Sequence, residues 1–201
     1  ITLESGKPIK DSRGEVARAL HTLTLAKEEA KRIYGEYLPV DITSMTKQKK
    51  ALVLRLPIGP VSAITPFNFP LNLVCHKIGP ALASGNPFVL KPASKTPLSS
   101  LLLGEIILET QWPKGAISVV PCHSRDAEPL VSDDRIKMLS FTGGADLGWT
   151  LKSKAGKKKV VLELGGNAAV IICEDADVDT AVQKCRVGGY YYSGQNCIHV
   201  Q

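Results

Sequence analysis

The 201-residue sequence has no apolar run approaching the roughly 18–20 residues that a membrane-spanning helix needs. Its first residues, Ile-Thr-Leu-Glu-Ser-Gly-Lys-Pro, lack the basic start and apolar core of a secretory signal. They also lack an initiating methionine, so the N-terminus is expected to be a cut end. No CxxC pair occurs, and the five cysteines (75, 122, 173, 185 and 197) are an odd number. Both argue against a disulfide framework and for a reducing, cytoplasmic setting. The four histidines (His21, His76, His123, His199) form no HExxH or other ligand spacing, so no metal site is expected. No aromatic residue interleaves with the basic run Lys-Ser-Lys-Ala-Gly-Lys-Lys-Lys at 152–159, which reads as a solvated loop and not as a nucleic-acid surface. No internal repeat or low-complexity segment is present. Neither G-x-G-x-x-G nor a P-loop occurs.

What is present is an ordinary globular composition, 44% apolar, with a net charge of +6. A positive field of this kind suits a phosphate-rich cofactor. Apolar residues recur at helical spacing from Asp11 to Leu38, which predicts one long amphipathic helix. Residues 48–57 alternate apolar with basic and predict a half-exposed strand. A regular alternation follows. Strands are expected at 61–64, 86–90, 116–120, 136–141, 160–164 and 169–173. Helices are expected at 70–84, 96–110, 124–131, 145–155 and 178–191, with Thr96 as an N-cap before Pro97 and with Gly85 and Gly156 as C-terminal stops. Strands alternating with helices at these lengths imply a doubly wound α/β fold around a parallel sheet. Such sheets bind ligands at the carboxyl ends of their strands.

Several residues at those ends carry chemistry. Asn68, bracketed by Pro66 and Pro70, either offers its amide to a developing oxyanion or bonds its own turn. Lys91, at the tip of the second strand of the alternation, can reach a ribose or a phosphate. Gly143 and Gly144 follow Phe141-Thr142 and open a helix, where backbone N–H groups can approach a phosphate. Glu163 ends an apolar strand before Leu164-Gly165-Gly166. Either it is a capping or turn glutamate or, buried there, its pKa would rise, which suits a general base. Cys197 follows Ser193-Gly194-Gln195-Asn196 and is a candidate nucleophile. The other four cysteines read as core or loop residues.

The segments P-F-N-F-P-L, L-K-P-A-S-K-T-P, S-F-T-G-G, L-E-L-G-G-N and G-Q-N-C-I, in this order and with 34 residues from Glu163 to Cys197, resemble the NAD(P)-dependent aldehyde dehydrogenase superfamily. The resemblance starts at Glu4-Ser5-Gly6-Lys7-Pro8 and runs to the end, but covers less than half of a complete member. It implies a truncated Rossmann-like aldehyde dehydrogenase fold. Residues 1–48 would form a helical segment packing on the cofactor domain, 49–196 the NAD(P)-binding domain, and 197–201 the start of a catalytic domain. Cys197 would attack the aldehyde carbon, and Asn68 with the Cys197 N–H would hold the oxyanion. Hydride transfer would leave a thioester, and Glu163 would activate water to hydrolyse it. Lys91 and Ser94 would contact the adenosine ribose, and the Gly143-Gly144 helix start would face the pyrophosphate. Ile64, Thr65, Pro66 and Phe67 would line the cofactor cleft, with Phe141, Leu164 and Gly165 beside it.

Departures from the family pattern bear on the cofactor. Ser94 stands where NAD-preferring members often carry a glutamate, so NADP is admitted alongside NAD. Gly144 replaces a common serine, and Cys122 a common glycine. The Tyr190–Ile198 stretch looks most like the branch acting on lactaldehyde, phosphonoacetaldehyde and glyceraldehyde-3-phosphate. The resemblance implies a small aldehyde substrate and, for a complete member, a homo-oligomer. Two other readings stand beside it. Coenzyme A-acylating relatives hand the thioester to coenzyme A, although Glu163 favours water. The 201 residues by themselves are expected to bind nucleotide without turnover.

Overall fold

The apolar strand segments of the sequence assemble into one parallel sheet. The structure is a computed structural model and describes residues 1–200. The sheet strands are β3 (Val61–Ile64), β4 (Phe88–Lys91), β5 (Ile117–Val119), β6 (Met138–Thr142) and β7 (Lys159–Glu163). Their spatial order is β5-β4-β3-β6-β7, and every neighbouring pair is parallel. The winding runs outward from β3 to β5, then returns to β6 on the other side. This reversal makes the gap between the carboxyl ends of β3 and β6 the switch point, where doubly wound sheets open a crevice.

Both faces of the sheet are covered. Ala63 belongs to a core cluster with Val74, Cys75, Ile78, Leu90 and Leu103. Its neighbour Ile64 packs on a second cluster of Val131, Leu139 and Ala155. Successive strand residues point to opposite faces, so one strand feeds two cores. The first cluster is built with helices α3 (Asn72–Ala83) and α4 (Leu98–Leu108), and the second with α5 (Pro129–Ser132) and α6 (Ala145–Lys154). Gly85 and Gly156 take left-handed φ values of 71° and 62°, as helix stops. Two further helices are α1 (Thr2–Ser5) and α2 (Ile9–Ala30), and α2 packs along α3. The last is α7 (Val178–Tyr190), followed by a 3₁₀ turn over Tyr191–Gly194.

The structure corrects the sequence reading in four places. The long helix stops at Ala30, not Leu38. Glu36–Pro39 forms β1, antiparallel to β2 (Lys50–Val53), because Gly35 lets the backbone pass the Val53 carbonyl and the ladder then captures the chain. Residues 169–173 form no strand. Ile171 is 89% exposed, and no neighbouring strand among the described residues supplies a ladder. Residues 124–131 split into a 3₁₀ turn (Ser124–Asp126) and α5.

Finally, Thr96 caps nothing. Its hydroxyl is buried without a partner among the described residues, and Pro97 holds the N-cap position of α4. The cap arrives from a distance. Glu4 of α1 accepts from the N–H groups of Leu98 (2.7 Å) and Ser99 (3.1 Å) and from the Ser99 hydroxyl. A carboxylate on a helix N-terminus satisfies unpaired donors and complements the dipole. Glu4→Ala is expected to cost about 1 kcal/mol, a drop in Tm of about 2–4 °C. An unchanged midpoint in thermal denaturation would show that water replaces this cap without cost.

Candidate active site

The turn after β3 places Asn68 at the switch point, 8% exposed. Its Oδ1 accepts from the Phe69 N–H at 3.1 Å, the local bond that a turn asparagine makes. Its Nδ2 donates to the Gln195 carbonyl at 3.1 Å, 127 residues away. One amide proton is thus spent on the loop that carries Cys197, and the second remains available.

That loop is held in an uncommon conformation. Tyr192 and Ser193 have φ values of 52° and 55°, followed by Gly194 at 73°. Non-glycine residues in this region cost about 1–2 kcal/mol each, so the surroundings must impose it. The Tyr192 hydroxyl donates to the Ser5 carbonyl at 3.3 Å. The Val200 N–H donates to the Gly188 carbonyl at 3.0 Å. Gly166 is a second requirement. A Cβ there would lie 2.6 Å from the Cys197 carbonyl oxygen. Cys197 is exposed, with its Sγ 3.9 Å from Asn196 Oδ1. Cys75 is its opposite. It is fully buried in the core, and burial pushes its thiol pKa up to about 12.

Two cavities meet at Asn68 and Cys197. One, of about 340 Å³, is lined by Pro66, Phe67, Gly143, Gly144, Leu164 and Gly165 as well as both of these residues. The other, of about 370 Å³, is lined by Arg18, Phe69, His76, Lys77 and Glu163 together with them. Asn68, Glu163 and Cys197 therefore converge from three separate segments. The expected burial of Glu163 is not found. It is exposed, because it ends β7, which among the described residues has a neighbouring strand on one side only.

A third cavity, of about 290 Å³, is lined by Ile64, Lys91 and Phe141 with Arg125, Val131 and Leu151. Lys91 is 5% exposed, and its ammonium donates to the Pro92 carbonyl at 3.2 Å. Ser94 is exposed on the following loop. Its hydroxyl donates to the Cys122 carbonyl at 3.2 Å, so two departures from the family pattern touch each other. Thr65 is buried at the end of β3, its hydroxyl without a partner among the described residues. Gly143 lies against the Phe141 ring, which a Cβ would approach to 2.5 Å. A Cβ on Gly144, the N-cap of α6, would meet only open space.

The sequence reading missed Lys77 and Arg18. Lys77 is 8% exposed and donates to Ser140 Oγ at 3.0 Å. Burial lowers its pKa to about 8, partly offset by the charge of Glu163. The signal was available, since Lys77 interrupts the apolar series Val74, Cys75, Ile78 and Ala81. Arg18 places its guanidinium 5.8 Å from the Phe69 ring centroid. Among the described residues it forms no ion pair with a carboxylate. No group of three His, Cys, Asp or Glu among the described residues could hold a metal ion.

Comparison with known proteins gives one consistent result. The Aldehyde dehydrogenase family matches residues 1–201. The chain is 46% identical over 202 residues to 3-sulfolactaldehyde dehydrogenase of Priestia megaterium, covering 100% of this chain and 42% of that protein. It is 41% identical over 201 residues to the NADP(+) succinate-semialdehyde dehydrogenase of Escherichia coli, covering 98% and 41%. Among solved structures, it resembles aldehyde dehydrogenase 21 from Physcomitrella patens in complex with the reaction product succinate. There the TM-score is 0.94 and the identity 53%, covering 100% of this chain and 42% of that one. The chain thus spans less than half the length of the relatives it matches.

Proposed function

The chain belongs to the aldehyde dehydrogenase family, and from that premise we propose that the intact protein oxidises an aldehyde carrying an anionic group to its carboxylic acid, with NAD or NADP as cofactor. The observation that carries this reading is the convergence of Asn68, Glu163 and Cys197 on one cavity, with Asn68 and Cys197 also lining a second.

The Cys197 thiolate attacks the aldehyde carbon and forms a C–S bond. The carbonyl oxygen becomes an alkoxide, held by the Asn68 Nδ2 and the Cys197 N–H, donors that are worth most where charge develops. The bound cofactor supplies the acceptor for the hydride. Loss of the hydride leaves a thioester on Cys197. Glu163 takes a proton from the water that attacks it, the acid leaves, and the thiolate is restored. Residues 49–196 are assigned to cofactor binding, 1–48 to a segment packed on them, and 197 onward to the catalytic portion.

The crevice fits the cofactor on several counts. The unpartnered Thr65 hydroxyl, the Lys91 ammonium and the open backbone at Gly144 all lie at carboxyl ends of strands. Lys91 and Ser94 would hold the adenosine ribose, and the α6 N-terminus the pyrophosphate. Ile64, Thr65, Pro66, Phe67, Phe141, Leu164 and Gly165 would line the path. Ser94 places no carboxylate against a 2′-phosphate, so NADP is accepted.

Arg18 supplies the argument for an anionic substrate. It lines the cavity of Cys197 and is free of a carboxylate partner among the described residues. The relatives named above act on aldehydes that bear a sulfonate or a carboxylate. Arg18→Leu is expected to raise KM for succinate semialdehyde about 10- to 100-fold, the value of one charge-assisted contact. KM for propanal should not change. Steady-state kinetics on both aldehydes decides it, and equal effects on the two would remove Arg18 from substrate recognition.

A further inference from the structure

Lys7 and Glu15 are buried, at 0% and 2% exposure, and take no part in the chemistry above. Their ion pair measures 2.6 Å. A buried pair is costly unless its remaining donors and acceptors are also satisfied. Here they are satisfied, and each partner leads to the site. The Lys7 ammonium donates to the backbone carbonyl of Asn68 at 2.7 Å. It lies 4.0 Å from the ring centroid of Phe69 and 4.6 Å from that of Tyr192, five positions before Cys197. The second Glu15 oxygen accepts from the N–H groups of Leu71 (2.9 Å) and Asn72 (3.1 Å), at the start of α3.

The bond to Asn68 has a mechanical consequence. The Asn68 carbonyl and the Phe69 N–H belong to one rigid peptide plane. Lys7 holds the oxygen end of that plane. The N–H end donates to Asn68 Oδ1, which turns the carboxamide so that Nδ2 faces the Gln195 carbonyl. A rotation of the plane would swing the amide away from the Cys197 loop.

We propose that Lys7, fixed by Glu15, is a positioning residue that sets the Asn68 amide against the Cys197 loop through the shared peptide plane. The proposal rests on the reading of Asn68 as the oxyanion donor. Lys7 touches neither substrate nor cofactor, and its effect passes through Asn68.

The test is a double-mutant cycle in the intact protein with Lys7→Met, Asn68→Ala and the pair combined. Rates are taken per active site, titrated by the thiol. Lys7→Met is expected to lower kcat about 10- to 100-fold, the cost of a misplaced catalytic group, with KM within about twofold of the parent value. In the Asn68→Ala background, the same change should cost less than about twofold, because the amide it positions is gone. The Asn68 side-chain NH₂ resonances should shift in Lys7→Met. If Lys7→Met fails to fold, Lys7→Met/Glu15→Gln removes both charges at similar volume and carries the same readouts. A lowered Tm with kcat per site unchanged would overturn the proposal and leave Asn68 in its role. Effects of Lys7 and Asn68 that simply multiply would do the same. A full kcat in Asn68→Ala would overturn the reading of Asn68 and this proposal with it.

Discussion

Replacing Cys197 with alanine should abolish aldehyde oxidation by the intact protein while cofactor binding persists. The loss should be at least about 10⁴-fold in kcat, the scale on which covalent mechanisms fail without their nucleophile. The cofactor contacts proposed here come from the ends of β3, β4, β6 and β7, none of which depends on the Cys197 side chain. Nucleotide titration should therefore give an unchanged Kd while stopped-flow detects no reduced cofactor. Alkylation provides an independent check. Cys75 is fully buried, with its thiol pushed up to about 12, and should resist iodoacetamide at neutral pH. Cys173 and Cys197 are exposed and should both react. Peptide mapping should then show activity falling in step with modification at Cys197 and not at Cys173. Undiminished turnover by Cys197→Ala would sink the mechanism.

The strands and turns that build this site were legible because each carries its own local signal. Val61–Ile64 and Met138–Thr142 are apolar runs bounded by turn residues, and a central parallel strand needs no other signature. The turn holding Asn68 and the glycines opening α6 follow directly on those strands. Other features depend on partners distant in sequence. The segment 169–173 is as apolar as any strand, yet a strand exists only beside another, and none of the described residues offers one. Glu36–Pro39 became β1 because Lys50–Val53 pairs with it, which helical periodicity across 11–38 could not register.

Charges were the hardest to place. Lys7 and Glu15 carry no burial signal in the sequence and Lys77 only its place in an apolar series, and all three are buried. Their burial is tolerable only because a carbonyl, helix N–H groups and a serine hydroxyl meet them in three dimensions. Glu163 is the reverse case. Its apolar strand suggested burial, but strand order placed it on an edge. The candidate residues were thus legible in the sequence, while the contacts that aim them were not.

Glu163→Gln should separate the two halves of the reaction. In the proposed mechanism, attack by Cys197 and loss of hydride need no base at Glu163, so one equivalent of reduced cofactor should appear as a burst. Hydrolysis of the thioester does need it. Steady-state turnover should then fall about 10²- to 10⁴-fold, the range that general base catalysis contributes. Intact-mass analysis after the burst should find the acyl group on the protein, and peptide mapping should place it on Cys197. The substitution has an electrostatic consequence as well. The carboxylate of Glu163 partly offsets the burial that lowers Lys77 to about 8. With that negative charge removed, Lys77 should lose its proton at a still lower pH. Coenzyme A added to the stalled protein distinguishes the competing acceptors. A thiol that discharges the acyl group from Glu163→Gln but not from the parent protein acts as a rescue of a water-dependent enzyme. Acyl-coenzyme A formed equally by both would assign the protein to the acylating class. A parent-like steady state with no accumulated acyl group would remove Glu163 from the mechanism.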